Sequence, residues 1–208
     1  IDGVRRTREE SPDPSYNALV DRPHQFRDRN IAERLTILAP TVSSEAREYL
    51  PIAVFPGRTG TTNQAYALYD APLWNMALIA SRLHLVWIAT VCGKLKTDFR
   101  YSNTLGWNTF PVPMLTEKNI ADLTRCAEDI LLAREHHFPA TIADLYDPET
   151  MPEDLRAAHE RNDEVLERIY IGRRFKNDTE RLEKLFDLYT KMASVVRKPT
   201  KSRKAKKV

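Results

Sequence analysis

The chain has 208 residues, 42% of them apolar and 29% charged, with six glycines, 13 prolines and a formal net charge of +3. That length and apolar content can bury one substantial core or two modest ones, which excludes wholesale disorder. The small net charge hides a partition: residues 1–114 carry 13 Lys/Arg against 11 Asp/Glu, residues 115–196 carry 12 against 18, and residues 197–208 carry seven against none.

Residues 1–33 are rich in Arg, Asp and Pro, and Pro12, Pro14 and Pro23 interrupt any periodicity, so loops and short turns are expected there. The chain starts at Ile1 without a charged leader or an apolar signal core, and reads as a piece of a longer polypeptide. Apolar runs at 35–39 and 52–55, bounded by Pro40, Pro51 and Pro56, predict two short strands, and 64–69 a third. Between the first two lies the polar connection Ser43-Ser44-Glu45-Ala46-Arg47.

Asp70 as a cap, Pro72 in the first turn and Gly93 as a left-handed stop predict one helix of about twenty residues. Its apolar stretch, 73–91, is interrupted by Asn75, Arg82 and His84. An Arg near mid-helix costs about 2.5 to 3.5 kcal/mol in a bilayer, so the helix is expected in a protein core and no membrane is implied. Cys92 and Cys126 have no second Cys or His at ligand spacing, which indicates neither a disulfide framework nor a zinc site and fits a reducing cytoplasm.

From 93 to 102 the chain alternates, setting Lys94, Lys96, Asp98 and Arg100 against Leu95, Thr97, Phe99 and Tyr101. This predicts one strand carrying a comb of charge, its teeth about 6.6 Å apart, near two base-pair steps of DNA. Lys and Arg can donate to guanine O6 and N7 and Asp can accept from cytosine N4, so the comb has groove-reading chemistry. Spacing alone favours the plainer reading, in which Lys96 and Asp98 neutralise each other on a solvated face. A further strand is expected over 105–110, ending at Pro111 and Pro113.

Beyond Pro113 helical periodicity takes over. Ile120, Leu123, Ala127, Ile130 and Leu131 predict a helix ending near Glu135, and Thr150 with Glu153 and Asn177 with Glu180 have the spacing of capping boxes that open two more. Leu155, Ala158, Val165, Leu166 and Ile169 are the expected buried stripe of one, and Leu182, Leu185, Phe186, Tyr189 and Met192 that of the other. Residues 197–208 are expected to be a basic disordered tail. No glycine-rich phosphate loop, nucleophile elbow or HExxH motif occurs. His136 and His137 sit at a helix end with no evident carboxylate partner, His159 falls on the polar side of its helix, and His84 is expected in the core. No catalytic or metal-binding residue is assigned.

The runs Tyr49-Leu50-Pro51-Ile52, Asn63-Gln64-Ala65-Tyr66-Ala67-Leu68-Tyr69-Asp70-Ala71-Pro72-Leu73-Trp74 and Ser81-Arg82-Leu83-His84-Leu85-Val86-Trp87 resemble the C-terminal part of the MmeI-like DNA methyltransferases, the type IIL restriction-modification enzymes. The likeness continues through Gly93-Lys94-Leu95-Lys96-Thr97-Asp98-Phe99-Arg100-Tyr101-Ser102, Asn108-Thr109-Phe110-Pro111, Ala143-Asp144-Leu145-Tyr146-Asp147-Pro148 and 151–159. The resemblance implies an α+β arrangement: a mixed α/β target recognition domain over 1–114, N-terminally truncated, with a small sheet around one long buried helix. An all-α C-terminal helical region would follow over 115–196.

It also implies a parent polypeptide with an adenine-N6 methyltransferase using S-adenosylmethionine and, where a nuclease is present, Mg2+. This piece has neither the cofactor glycine motif nor the Asn/Asp-Pro-Pro-Tyr/Phe motif, and is expected to be silent alone. Double-stranded DNA is the implied partner, and the piece would pack on the parent's methyltransferase domain. The family reads bases through the segment matching Lys96-Thr97-Asp98-Phe99-Arg100, with a contributor near Gln64. Lys96 and Asp98 would read one G·C pair, and Arg100 with Gln64 another. Arg47 and Lys94 are the candidate phosphate contacts. The competing expectation is a helical protein-interaction region, 115–196 bracing the parent or a partner subunit.

Overall fold

The computed structural model describes residues 1–196, so the expected basic tail lies outside the described residues. The chain opens not on loops but on a helix, α1 (Asp2–Glu9). The prolines begin only at Pro12, and the Arg- and Glu-rich stretch before them has nothing to break a helix. α1 buries none of its own residues. It is held by the Arg8 guanidinium, which donates to the carbonyls of Leu19 (2.9 Å), Arg22 (2.8 Å) and Gln25 (2.8 Å) just beyond the one-turn helix α2 (Pro14–Asn17).

The three predicted strands appear as β1 (Leu35–Pro40), β3 (Ala53–Pro56) and β4 (Ala65–Tyr69) of one antiparallel sheet, with β1 in the centre. Leu38 faces Ala53 on one side and Ala67 on the other. Sequence reading missed β2 (Val42–Ser43), two residues long, which joins a second sheet with β5 (Gly93–Leu95) and β6 (Asp98–Arg100) in the order β2-β6-β5. One residue, Thr41, separates β1 from β2, so a nearly continuous run of chain contributes to both sheets.

The single long helix is instead two, α3 (Trp74–Ile79) and α4 (Arg82–Val91). Asp70 is not their cap. It sits at φ +52°, and its carboxylate accepts the backbone N–H groups of Glu33 (2.8 Å), Arg34 (2.7 Å) and Leu35 (3.3 Å), tying the entry of β1 to the exit of β4. These three donors hold its carboxyl below the usual carboxylate range. The break falls at Ser81, whose hydroxyl accepts from His84 N–H (3.2 Å), while the Asp163 carboxylate accepts the Arg82 N–H (2.7 Å). Gly93 does not end α4 in a left-handed turn; Cys92 leaves the helix in extended geometry and the chain passes straight into β5.

Residues 105–110 form no strand. A π-helical turn spans Asn103–Trp107, and Gly106 lies so close to α4 that a Cβ there would stand 3.1 Å from Ile88 Cγ2 and 3.2 Å from Cys92 Sγ. The helical part contains α5 (Glu117–Glu135), α6 (Ile142–Leu145), α7 (Glu153–Ile171) and α8 (Asp178–Val196). Thr116 with Asn119 and Thr141 with Asp144 form reciprocal capping boxes. Thr150 does not cap α7, whose first turn follows Pro152, whereas Asn177 Oδ1 does accept the Glu180 N–H (2.9 Å).

Leu123, Ala127 and Ile130 of α5 pack with Leu155, Ala158 and Leu166 of α7, and all six are buried in one core with Trp87 and Ile79. The expected stripe of α8 is fully buried only at Leu185; Phe186 and Tyr189 lie over the Trp87 ring at 5.2 and 5.8 Å between centroids, and they and Met192 stay partly exposed. His159 is not solvated. It is fully buried, stacked on Tyr49 at 4.2 Å between ring centroids and bonded to the Tyr146 hydroxyl (2.7 Å) and the Ala80 carbonyl (3.2 Å). Among the described residues no helix is long and apolar enough to cross a membrane.

Candidate functional site

The charged comb is folded in two. β5 and β6 pair antiparallel as Gly93 with Arg100, Lys94 with Phe99 and Leu95 with Asp98, leaving Lys96-Thr97 as a two-residue turn. Lys96 has φ +59° and Thr97 does not share the positive sign, the pattern of a type II′ turn, which usually takes glycine first. A lysine at such an angle is locally strained, and strain of this kind gathers at functional positions. The alternation that suggested one strand persists through a hairpin because a two-residue turn keeps the count even.

Folding in two redistributes the teeth. Cross-strand partners share a face, so Leu95, Asp98 and Arg100 stand on one side of the hairpin and Lys94 and Phe99 on the other. Lys96, at the tip, and Arg100 are exposed, and Asp98 is half-buried. None of the three has an ion-pair partner among the described residues. Opposite Arg100 a Cβ on Gly93 would meet nothing within 4 Å, so the guanidinium has open space beside it. Lys94 is engaged elsewhere: its ammonium lies 2.9 Å from the Glu45 carboxylate and 5.7 Å from the Phe99 ring centroid. Arg47, two residues beyond Glu45, is half-buried and makes no side-chain hydrogen bond or ion pair among the described residues.

Gln64 is brought to this hairpin through Thr41. The Gln64 carbonyl accepts both the Thr41 N–H (2.9 Å) and the Thr41 hydroxyl (3.0 Å), and the Thr41 carbonyl accepts the Tyr101 N–H (2.9 Å). Gln64 just before β4 and Arg100 at the end of β6 therefore flank the same short piece of backbone. The Gln64 side chain is exposed. Sequence reading missed Thr41 because nothing in Pro40-Thr41-Val42 marks a residue shared by two sheets. It missed Glu45 as well, since an ion pair over 49 positions leaves no local pattern.

The hairpin is anchored from its back. Phe99 and Tyr101 are buried, and the Tyr101 hydroxyl bonds His84 Nε2 at 3.0 Å. Burial pushes the His84 imidazole down to about 3 and the Tyr101 phenol up, so both stay neutral and supply packing rather than proton transfer. Exposed charge in front and aromatic packing behind give a rigid ridge that offers donors and an acceptor to a polar surface. The other candidate histidines lie outside this ridge: His137 Nε2 pairs with the Asp154 carboxylate at 2.7 Å and His136 approaches it at 3.8 Å, a partner that sequence reading did not find.

With that geometry in view, similarity to known proteins is informative. A family model of the MmeI target recognition domain matches residues 1–114, and one of the MmeI C-terminal domain matches residues 115–197. The chain is 40% identical over 185 residues to DNA methyltransferase A of Bacillus subtilis (strain 168), covering 89% of this chain and 21% of that protein. The fold superimposes with a TM-score of 0.86, at 30% identity, on the type IIL restriction-modification enzyme MmeI in complex with DNA, over 93% of this chain and 26% of that one. The chain thus spans about a fifth to a quarter of the length of these relatives.

Proposed function

Because this chain belongs to the MmeI family, as its target recognition domain followed by its C-terminal domain, we propose that it reads a specific DNA sequence on behalf of a DNA methyltransferase carried by the same polypeptide. The observation that carries the reading is the β5–β6 hairpin, a firmly anchored ridge whose exposed side holds Lys96, Asp98 and Arg100 without ion-pair partners among the described residues. A β-ribbon is narrow enough to enter the major groove, where base edges differ in their donors and acceptors. Lys96 at the tip donates to guanine while Asp98 accepts from the N4 amino group of its paired cytosine. Arg100 and Gln64, tied through Thr41, serve a second base pair. Arg47 and Lys94 grip phosphate, Lys94 exchanging Glu45 for the backbone of the duplex.

The methyl transfer is assigned to the rest of the polypeptide, as adenine-N6 methylation with S-adenosylmethionine, and Mg2+ belongs to a nuclease if the parent has one. This chain's own residues do not fit that cofactor: its six glycines are scattered singly and no Asn/Asp-Pro-Pro-Tyr/Phe motif occurs. The recognition unit packs on the methyltransferase domain so that the base pairs read by the hairpin fix which adenine is presented.

The test is a binding competition of the intact polypeptide across all four bases at each site position. A Lys96→Glu, Asp98→Arg double variant is expected to lose its wild-type preference at one G·C pair by about 1 to 3 kcal/mol, with other positions unchanged. An unaltered preference removes these residues from base readout. A second reading, that 115–196 braces the parent or a partner subunit, is favoured by the partly exposed outer edges of Phe186, Tyr189 and Met192 on α8. DNA binding that is lost with residues 197–208 and not with the hairpin variant supports it instead.

A further inference from the structure

The wall of a groove of about 600 Å³ is formed by the outer edge of β3 together with the end of α5 and the segment leading into α6. β3 pairs only with β1, so its other edge is open. Gly57 N–H donates to the Arg34 carbonyl, across the ladder, and by the alternation of an antiparallel strand residues 52, 54 and 56 turn their backbone groups outward. The Ile52 carbonyl is taken by Arg134 Nη1 at 2.5 Å. Pro56 has no N–H to offer. The N–H and carbonyl of Val54 therefore face the groove, about 6.6 Å along the edge from Ile52.

Arg134 is the unusual member of this lining. Its side chain is nine-tenths buried, yet it has no carboxylate within 4.0 Å among the described residues, and its acceptors are the neutral Tyr146 hydroxyl and the Ile52 carbonyl. These contacts use three of the five N–H groups of the guanidinium, leaving one on each terminal nitrogen. The C-terminal end of α5 offsets part of the charge, but a helix terminus returns less than the desolvation of a guanidinium costs. At the rim, Phe138 and Phe55 are 85% and 42% exposed.

We propose that this groove binds an extended peptide strand bearing a carboxylate. The strand adds to the open edge of β3 through the Val54 backbone, sets its carboxylate on the free N–H groups of Arg134, and lays a neighbouring apolar side chain between Phe55 and Phe138. The spacing agrees, because alternate residues of a strand repeat at the same interval as Ile52 and Val54. A duplex fits less well: a polyanion would bring further phosphates against Glu135, in a segment with 18 acidic and 12 basic residues.

The test uses the intact polypeptide and two fluorescein-labelled, C-terminally amidated peptides of alternating leucine and serine, one with a single central glutamate and the other with glutamine in its place, followed by anisotropy. The glutamate peptide is expected to bind about tenfold more tightly, and Arg134→Met to erase that difference while Arg134→Lys keeps part of it. Phe138→Ala, at an exposed ring whose loss leaves the core intact, is expected to weaken both peptides alike. Equal binding of the two peptides to the wild type, or a preference that survives Arg134→Met, overturns the proposal. Should Arg134→Met not fold, unchanged binding of both peptides by Phe138→Ala overturns it equally. Displacement of the peptide by duplex DNA, together with lower DNA affinity in Phe138→Ala, would make the groove a nucleic-acid surface and also refute it.

Discussion

The hairpin tip and the junction of α4, α7 and α8 are both dense in charge, and they use it in opposite ways. At the tip Lys96, Asp98 and Arg100 carry their charges toward solvent with no ion-pair partner among the described residues. At the junction Glu167 is fully buried and accepts from Arg181 Nε (2.7 Å), Arg181 Nη2 (2.5 Å) and the Phe175 N–H (2.9 Å), while Asp178 holds Arg82 at 2.6 Å. Arg82 belongs to α4 and Asp178 to α8, so this network fastens the helical region to the sheet-bearing region. Charges satisfied inside a protein define shape, and charges left unsatisfied outside are available to a ligand. The contrast predicts that damage to one region leaves the property of the other intact.

The largest effect is expected from Glu167→Ala. It strands the buried end of Arg181 and the Phe175 N–H, and should lower folding stability by about 3 to 5 kcal/mol in denaturant titrations. Where the variant still folds, its base preference should equal that of the wild type; a changed preference would show that the junction participates in reading.

Acid sharpens the comparison further. Burial pushes His84 and His159 down from 6.5 to about 3, so between those values the unfolded chain binds the additional protons and stability falls as the pH falls. Burial pushes Asp163 the other way, from 3.8 up to about 7; its contribution is fully present below 3.8 and is lost as the pH rises through 7. Two histidines outweigh one aspartate, and the denaturation midpoint should climb from pH 4 to 6.5. Asp163→Asn removes the opposing member and should steepen that climb; an unchanged slope would mean that Asp163 is ionised throughout.

A smaller effect is expected at the tip. Lys96→Gly relieves the positive φ and should stabilise the fold by about 1 kcal/mol, while discrimination at the base pair served by Lys96 weakens. Gain of stability without loss of discrimination would separate the strained angle from the reading. The smallest concerns Arg47→Ala, which should reduce the slope of log affinity against log salt by about one unit for every sequence alike. A sequence-dependent change would move Arg47 from the phosphates to the bases.

Much of the architecture was legible because it rests on local signals. β1 and β3 are bounded by Pro40, Pro51 and Pro56, and α5 ends at Glu135 as its periodicity indicated. What stayed hidden depends on distant partners. Asp70 looks like a helix cap until Glu33, Arg34 and Leu35 claim its carboxylate, and the break at Ser81 is reinforced by Asp163, which accepts the N–H of Arg82 from 81 positions away. His159 sits on the polar side by periodicity but is buried because Tyr49, Tyr146 and Ala80 surround it. At the candidate site the residue types were legible, while their division between two faces and a turn was not, since alternation is identical for one strand and for a hairpin with an even turn.

The brevity of the Lys96-Thr97 turn has a consequence for how such a ridge can change over generations. With only two residues between the paired strands, a one-residue insertion or deletion would slip the register and send Arg100 to the side now held by Phe99, exchanging the proposed reading group for an anchoring one. New preferences must therefore arise by swapping side chains at unchanged length, as type is reset letter by letter within a fixed frame.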